Sequence, residues 1–331
     1  MNRLLLLVAC VGCSTSASSP VAVDPAEGDD GGGKTDTALV VPEVTCAGVP
    51  DAGASESFRH WTSRGISALG GVQHRGHDLI AAASDGDQRL EGWISYTFAD
   101  KALEDENVDL FACRAGAWKR VGRTRTDDEG FFSLALSDAD RLPIGMRDLY
   151  VSVAGDRTGV AFLAYVAPDD QALVASDVDG TLTSSENAFY STIAFGTLPD
   201  AQPGAADAYH RATAQGAQLL YITARGSQYT EDTRHWLAER GFPRGPVRLS
   251  PSFITLPGGD TIDYKTTTLT DLPLPILAGV GNRASDITAY TSAGVPADAI
   301  YIKLPEFSDE LVQPLADAKA IGVTDYTNLF Q

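Results

Sequence analysis

Short hydrophobic runs alternate with polar residues between about Ser57 and Val166. Within these runs the apolar positions recur with a period of two, which is typical of strands that bury one face. Turn-forming clusters separate the runs, and no long helical pattern intervenes. The pattern therefore predicts a small all-β sandwich over residues 57–166. The predicted strands start at His77, Leu90, Val108, Phe131 and Leu149.

From Asp169 to the end of the chain, strand-like runs alternate with helix-like ones. Three of the helical stretches end near Gly216, Gly241 and Gly294, where glycine can adopt the left-handed cap conformation. This alternation predicts an α/β domain over 169–331, with a Rossmann-like parallel sheet and helices on both faces. The predicted strands are Leu173–Ser176, Gln218–Thr223, Val247–Leu249, Ile276–Val280 and Ala299–Ile302.

The first residues combine one basic side chain, a short leucine run and small residues before a cysteine. This pattern predicts a lipoprotein-type signal peptide over 1–13, with lipidation at Cys13 or Cys10. The alternative is a secretory signal with incidental cysteines. The leucine run is far shorter than the roughly 20 apolar residues that span a bilayer. We therefore expect an exported bacterial lipoprotein attached to the cell envelope, on its periplasmic or outer side.

Residues 14–56 are rich in Ser, Ala, Pro, Gly and Asp, and this composition predicts a disordered low-complexity linker. Inside it, Gly28–Thr35 matches the phosphate-loop pattern G-x-x-x-x-G-K-[ST]. That loop binds nucleotide only when a strand precedes it and a helix opens behind it. Neither neighbour is present in the pattern, so we expect no nucleotide at 28–35.

A chain of 331 residues with 44% hydrophobic residues is long enough for two domain-sized cores. Its net charge of −19 argues against nucleic-acid binding and against electrostatic docking on anionic lipid. A membrane contact would therefore depend on the lipid anchor. In an exported protein Cys46 and Cys113 either form a disulfide or remain unrelated thiols, and the sequence leaves both open.

Two groups of polar residues in the sandwich have ordinary explanations. The acids Asp127, Asp128 and Glu129 are either calcium ligands or part of a hairpin turn, and the turn is the simpler interpretation. The histidines near the start of the domain, His60, His74 and His77, have no spaced partner, so we interpret them as packing or surface residues.

The most informative motif is DVDGTLT, Asp177 to Thr183, at the end of a buried apolar run. An aspartate carboxylate at a strand tip can attack phosphorus and form an acyl phosphate. Alternation points Asp179 to the same side as Asp177, so Asp179 can act as the general acid and base. Gly180 and Thr181 let the chain turn away from the sheet and contribute to phosphate binding.

The next strand leads into the sequence Tyr221-Ile-Thr-Ala-Arg-Gly226. The hydroxyl of Thr223 and the backbone near Ala224 can hold a phosphoryl oxygen, while Arg225 adds charge or braces the loop. The alternatives are a strand-end cap for Thr223 and a surface ion pair for Arg225. Lys265 can neutralise charge on the nucleophile and the phosphoryl group, although an isolated lysine is normally solvated.

Asn282 and Asp286 follow the fourth strand and lie four residues apart at the start of a helix. Together with Asp177 and the backbone carbonyl of Asp179, one or both can supply oxygens to Mg²⁺, which usually keeps several waters. The alternative for Asp286 is a first-turn acid that the helix dipole favours.

These motifs, DVDGT, a later Thr, a Lys and GNRxxD, resemble those of the haloacid dehalogenase superfamily. Within it, residues from Ser176 to about Pro305 resemble the catalytic domain of lipins, the magnesium-dependent phosphatidate phosphatases. The β-sandwich is similar to modules that precede this domain in bacterial relatives. The resemblance implies Asp177 as nucleophile, Asp179 as acid and base, Thr223 as phosphate ligand, Lys265 as charge clamp, and Asn282 and Asp286 on the metal side.

The resemblance implies a phosphatase of phosphatidate or a related phosphomonoester. About 40 residues separate Thr181 from Tyr221 and about 40 separate Gly226 from Lys265, which is too few for an inserted cap domain. An open site suits a bulky lipid head group. The alternatives are a phosphatase of soluble phosphomonoesters or phosphoproteins, and a phosphatidate-binding module without turnover.

Overall fold

The computed structural model describes residues 41–97, 99–189, 198–251 and 259–331. The predicted signal peptide over 1–13, its cysteines Cys10 and Cys13, and the phosphate-loop match at Gly28–Thr35 lie outside these ranges. Within the described ranges, no helix combines the length and the apolar character needed to cross a bilayer.

A β-sandwich forms the first domain, as the sequence predicts, and one short helix, α1 (Trp61–Ala68), precedes most of its strands. The strands are β1 (Glu43–Val44), β2 (Arg75–His77), β3 (Leu79–Ala82), β4 (Arg89–Trp93), β5 (Ser95–Tyr96), β6 (Lys101–Ala102), β7 (Asn107–Arg114), β8 (Ala117–Arg125), β9 (Phe131–Ala135), β10 (Gly145–Val153) and β11 (Gly159–Ala167). The larger sheet has the order β3-β11-β10-β7-β8, and β2-β4-β9 form the smaller one. Side chains from both sheets share one core, including Leu90, Leu110, Phe132, Leu149 and Phe162.

The strands β8 and β11 are absent from the sequence prediction, for different reasons. In β8 only Val121 is buried, because the strand lies at the edge of the sheet and carries arginines on its exposed positions. In β11 every residue from Phe162 to Ala167 is buried, so the period of two that marks a half-exposed strand is missing.

The structure also differs from the predicted linker boundary at residue 56. Glu43 and Val44 form strand β1, which pairs in parallel with β10. Cys46 and Cys113 form a disulfide with their Cα atoms 5.7 Å apart. The described residues 41–56 therefore belong to the sandwich, since a strand pairing and a covalent bond outweigh the linker-like composition.

The second domain is an α/β unit with a parallel sheet, which confirms the predicted fold class. Its sheet has the order β14-β13-β12-β15-β16-β17, made from β12 (Leu173–Asp177), β13 (Gln218–Gly226), β14 (Val247–Ser250), β15 (Ile276–Gly281), β16 (Ile300–Lys303) and β17 (Ile321–Val323). The helices are α2 (Ala205–Ala214), α3 (Thr230–Glu239), α4 (Gly259–Thr270), α5 (Ala284–Ser292) and α6 (Ser308–Ala316).

Helices cover both faces of this sheet. Leu173 and Ala175 of β12 pack in the same core as Ile287 of α5, whereas Val174 packs in the opposite core with Trp236 of α3. The three glycines at the predicted helix ends have positive φ angles, as the cap conformation requires: 89° at Gly216, 72° at Gly241 and 84° at Gly294.

One apolar core continues across the two domains. Ile80, Met146 and Tyr165 of the sandwich cluster with Leu220 and Ile222 of β13. The sandwich thus supports the strands whose carboxyl ends carry the predicted site residues.

Candidate active site

Asp177 is the last residue of β12, in the middle of the parallel sheet, and it is 4% exposed. Its Oδ1 accepts a hydrogen bond from Lys265 Nζ at 2.6 Å, and its Oδ2 accepts one from Thr181 Oγ1 at 2.7 Å. The turn after the strand therefore holds the carboxylate from one side and a lysine holds it from the other.

Lys265 projects from α4 and is buried between two carboxylates. Its Nζ donates to Asp177 Oδ1 and to Asp286 Oδ1, each at 2.6 Å. Asp286 Oδ2 accepts the backbone N–H groups of Asn282 and Arg283 at the start of α5. Asp286 is thus a first-turn acid of its helix and also a member of the cluster around Lys265.

The charges of this cluster depend on one another. Burial raises the pKa of the Asp177 carboxyl, and the ammonium group of Lys265 opposes the rise. Burial alone would lower the pKa of Lys265, but Asp177 and Asp286 raise it above its ordinary value. Lys265 therefore stays protonated at neutral pH and places a positive charge against an oxygen of Asp177.

Asp179 is held by residues at the carboxyl end of β13. Arg225 contacts it with two nitrogens, Nε at 2.9 Å from Oδ2 and Nη2 at 2.6 Å from Oδ1. The hydroxyl of Thr223 donates to Asp179 Oδ2 at 2.8 Å. The sequence predicts Thr223 as a phosphate ligand and Arg225 as an added charge or a brace for the loop, and in the structure both bind the second aspartate.

Arg225 is fully buried, which contradicts the alternative of a surface ion pair. Its Nη1 donates to Thr233 Oγ1 of α3 at 2.9 Å, and its guanidinium lies 3.5 Å from the ring centroid of Phe189. Arg225 therefore braces the loop and fixes Asp179 at the same time. The neighbouring Ala224 is half-buried.

The turn after Asp179 requires glycine. Gly180 has a φ of 69°, and a Cβ there would lie 2.1 Å from Asn282 Nδ2. Its backbone N–H donates to Thr183 Oγ1 at 2.8 Å. The carbonyl of the next residue, Thr181, accepts a hydrogen bond from the hydroxyl of Tyr326. The turn is thus packed directly against the loop that carries Asn282.

Two acids that the sequence analysis missed lie beside Asn282. Asn282 Nδ2 donates to Glu186 Oε2 at 3.0 Å, and the backbone N–H of Glu186 donates to both carboxylate oxygens of Glu306. Burial raises the pKa of Glu186 to about 7. Neither acid belongs to a recognisable motif, so the only available signal was that Glu186 follows the DVDGT turn closely.

A magnesium ion would have oxygen donors at this edge of the sheet. Asp177 offers a carboxylate, Asp179 a backbone carbonyl and Asn282 an amide oxygen, which are the donor types that Mg²⁺ prefers. Among the described residues, no group of three or more His, Cys, Asp and Glu side chains is arranged to hold a metal alone. The donor set therefore fits an ion that keeps several waters, and the metal role of Asp286 stays a prediction.

Among the described residues, Asp127, His74 and His60 of the sandwich contact other residues of the sandwich. Asp127 Oδ1 accepts the backbone N–H groups of Glu129 and Phe131, which is a hairpin-turn arrangement. His74 is buried and hydrogen-bonds to Thr158, and His60 pairs with an exposed acid. These contacts agree with packing and surface roles.

Comparisons with known proteins cover both domains. The family model described as "PITM 1-3, LNS2 domain" matches residues 174–303, and "PITM 1-3, beta-sandwich domain" matches residues 72–166. Phosphatidate phosphatase LPIN1 of Homo sapiens is 33% identical over 178 residues, which cover 48% of this chain and 19% of that protein. The second domain is therefore similar to the domains of lipins and is called lipin-like below.

The lipin-like domain has relatives of a second kind. Membrane-associated phosphatidylinositol transfer protein 3 of Mus musculus is 28% identical over 235 residues, covering 70% of this chain and 23% of that protein. The matched region covers 17% of the length of membrane-associated phosphatidylinositol transfer protein 2 of Homo sapiens. It covers 26% of the length of phosphatidate phosphatase LPIN2 of Mus musculus. The chain therefore spans about a quarter or less of the length of these relatives.

One solved structure is similar to this chain, but more weakly than the relatives above. The cobalt-bound deoxy-D-mannose-octulosonate 8-phosphate phosphatase of Haemophilus influenzae aligns over 47% of this chain and 80% of its own, at 14% identity and a TM-score of 0.33. A score of this size does not by itself establish a shared fold.

Proposed function

We propose that this chain hydrolyses a phosphomonoester through an aspartyl-phosphate intermediate, with phosphatidate or a related lipid phosphate as substrate. The observation that carries the proposal is the pair of aspartates at the end of β12. Asp177 lies against the buried ammonium group of Lys265, and Asp179 is fixed by Arg225. A nucleophile and a proton-transfer group are therefore held side by side, each by its own cation.

In the proposed first step an oxygen of Asp177 attacks phosphorus and the bond from phosphorus to the ester oxygen breaks. Asp179 gives a proton to that leaving oxygen, which departs as an alcohol. Asp179 then takes a proton from water, whose oxygen attacks the phosphorus of the acyl phosphate. The bond from phosphorus to the Asp177 oxygen breaks, and inorganic phosphate and the free carboxylate are regenerated.

The surrounding groups support these steps electrostatically. Lys265 offsets the negative charge where Asp177 and the phosphoryl group meet, and Thr181 keeps the carboxylate oriented. Arg225 and Thr223 hold Asp179 within the turn. Mg²⁺ bound by Asp177, the Asp179 carbonyl and Asn282 would neutralise phosphoryl oxygens.

The lipid substrate is supported by relatives named phosphatidate phosphatases and by the absence of room in the sequence for a cap domain. Soluble phosphomonoesters and phosphoproteins use the same chemistry and remain the first alternative. Relatives named phosphatidylinositol transfer proteins favour a second one, a lipid-binding module without turnover. The intact pair Asp177 and Asp179 supports catalysis, because binding alone needs no nucleophile.

We also propose that the protein is exported and attached to the cell envelope through a lipidated Cys13 or Cys10. The disulfide between Cys46 and Cys113 supports an oxidising compartment. Detection of diacylglyceryl-modified cysteine at one of these positions by mass spectrometry tests the anchor, and an unmodified N-terminal peptide carrying both cysteines would contradict it.

The decisive experiment compares the full chain with its Asp177→Asn variant. Phosphate release from phosphatidate in mixed micelles and from p-nitrophenyl phosphate is measured with Mg²⁺ and with EDTA. We expect the substitution to lower kcat by about 10³-fold or more, because the nucleophilic oxygen is lost. Asp128→Asn, at an exposed turn position, is the matched control and retains full activity.

Each outcome separates the alternatives. Equal activity of wild type and Asp177→Asn would overturn the aspartyl-phosphate mechanism. Turnover of p-nitrophenyl phosphate without turnover of phosphatidate would replace the lipid substrate by a soluble one. Binding to phosphatidate vesicles without any phosphate release would favour the binding module.

A further inference from the structure

Glu186 links the segment after the nucleophile to the loop that precedes α5. Its Oε2 accepts a hydrogen bond from Asn282 Nδ2 at 3.0 Å, and its Oε1 lies 3.7 Å from Arg283 Nη1. Its own backbone N–H is held by Glu306 at 3.1 and 3.2 Å. Both the backbone and the side chain of Glu186 are therefore fixed in the structure.

This contact determines how the Asn282 amide is turned. In the structure the NH₂ group of Asn282 is the donor and a carboxylate oxygen of Glu186 is the acceptor. Its other terminal atom, the oxygen, is then directed away from Glu186. A neutral partner such as glutamine could meet either end of the amide and would leave its orientation open.

Space restricts the amide further. The Nδ2 atom of Asn282 lies 2.1 Å from the position that a Cβ at Gly180 would take, so the turn after Asp179 closes over it. Asn282 is 1% exposed. The amide is thus enclosed between the turn and Glu186, and its NH₂ end is the one that Glu186 holds.

We propose that Glu186 is a positioning residue that fixes the Asn282 amide with its oxygen available to the divalent cation. The inference rests on the proposed function, because it assigns Glu186 to the cation site of that reaction. Groups that orient metal ligands through hydrogen bonds typically contribute 10- to 100-fold to metal affinity or activity. Glu186 acts through Asn282 and needs no contact with the substrate.

The test measures Mg²⁺ binding by calorimetry in the presence of inorganic phosphate, so that the result does not depend on turnover. We expect Glu186→Gln to weaken Mg²⁺ binding by about tenfold or more, and Glu186→Asp, which keeps a carboxyl group, to recover part of that loss. The concentration of Mg²⁺ for half-maximal phosphate release should rise in parallel, while kcat at saturating Mg²⁺ changes by a smaller factor.

Glu310→Gln is the matched control. Glu310 contacts Arg283 and the N–H of Ala284 on the same loop but makes no hydrogen bond to the Asn282 side chain. We expect less than about a threefold change in Mg²⁺ affinity for this variant, since it leaves the Asn282 amide held. Thermal melting of all variants without Mg²⁺ separates a lost positioning contact from a lost fold.

Mg²⁺ binding by Glu186→Gln within about twofold of wild type would overturn the role of Glu186 and leave the phosphatase proposal intact. An equal loss in Glu186→Gln and Glu310→Gln would overturn it as well, because the effect would then be general to the loop. If wild type releases no phosphate but its Mg²⁺ affinity still depends on Glu186, the proposed function is overturned and the role of Glu186 stands. Absence of Mg²⁺ binding by wild type would overturn the Glu186 inference.

Discussion

Two aspartates of this protein are buried to a similar extent but have different surroundings. Asp78 lies at the junction of the domains, and Asp177 lies at the tip of β12. Asp78 is 1% exposed and Asp177 is 4% exposed. Asp78 receives two hydrogen bonds from Arg234 of α3 and one each from the backbone N–H groups of Leu163 and Val247. Each of its oxygens thus has two donors.

Asp177 receives one hydrogen bond on each oxygen, from Lys265 and from Thr181. A carboxylate has about four acceptor positions, so Asp177 retains acceptor capacity where Asp78 retains none. Burial of a charge therefore does not distinguish a structural group from a reactive one. The difference lies in how many acceptor positions the protein itself fills.

The largest difference between these aspartates should be in stability. We expect Asp78→Asn to lower the free energy of unfolding by about 3–5 kcal/mol, because it removes the carboxylate that accepts from both Nη atoms of the buried Arg234 and leaves Glu231 beside that cation. It also turns an amide NH₂ group toward a backbone N–H. Asp177→Asn should leave that free energy nearly unchanged, since Lys265 keeps its hydrogen bond to Asp286. Urea unfolding followed by circular dichroism measures both.

Arg234 provides the matched check on that pair. Arg234→Met removes the cation and leaves Asp78 with its two backbone donors, so the loss of stability should be of the same order as in Asp78→Asn. A stable Asp78→Asn protein together with an unfolded Asp177→Asn protein would reverse the comparison and assign the structural role to the strand-tip aspartate.

The sequence was more informative about the reactive region than about the structural one. Asp177, Asp179 and Asp286 are predictable because each lies at a strand end or at the start of a helix in a recognisable motif. The prediction for Lys265, inside α4, depends on those other motifs, and the structure brings this lysine into contact with Asp177 and Asp286. The partner of Asp179 was harder to predict. An arginine at a strand end looks the same in sequence whether it faces solvent or binds a carboxylate from another strand.

The junction of the domains was not predictable from the sequence. Asp78 lies in a run of ordinary strand residues, and Arg234 lies 156 positions further on. Their pairing depends on how the sandwich packs on α3, which no local pattern encodes. The same limit applies to Glu186, whose role follows only from its contact with Asn282.

A second structural bond in the sandwich should show a somewhat smaller effect. We expect the double variant Cys46→Ser and Cys113→Ser to lose about 2–4 kcal/mol of unfolding free energy, because the loop that the disulfide closes becomes free in the unfolded chain. The kcat of the folded fraction should not change, since the disulfide lies in the sandwich and not at the carboxyl ends of the parallel strands that carry the site residues. Wild type treated with a reductant is the control and should show the same loss; a lower kcat with unchanged stability would connect the disulfide to the chemistry.

The smallest expected effect concerns His74, a buried titratable group of the sandwich. Burial lowers the pKa of His74 to about 4 from its usual 6.5, while Asp156 opposes the shift. The unfolded chain therefore binds a proton at His74 between these two values while the folded protein does not, and stability falls as the pH falls below about 6.5. From pH 7 to pH 5 we expect the free energy of unfolding to fall by about 2 kcal/mol because of this residue.

Urea unfolding of His74→Gln should show a weaker dependence on pH over this range than wild type, whereas His60→Gln, at an exposed position, should follow wild type. Identical slopes for wild type and His74→Gln would show that the pH dependence arises elsewhere, and the carboxylates of the lipin-like domain would then be the groups to test.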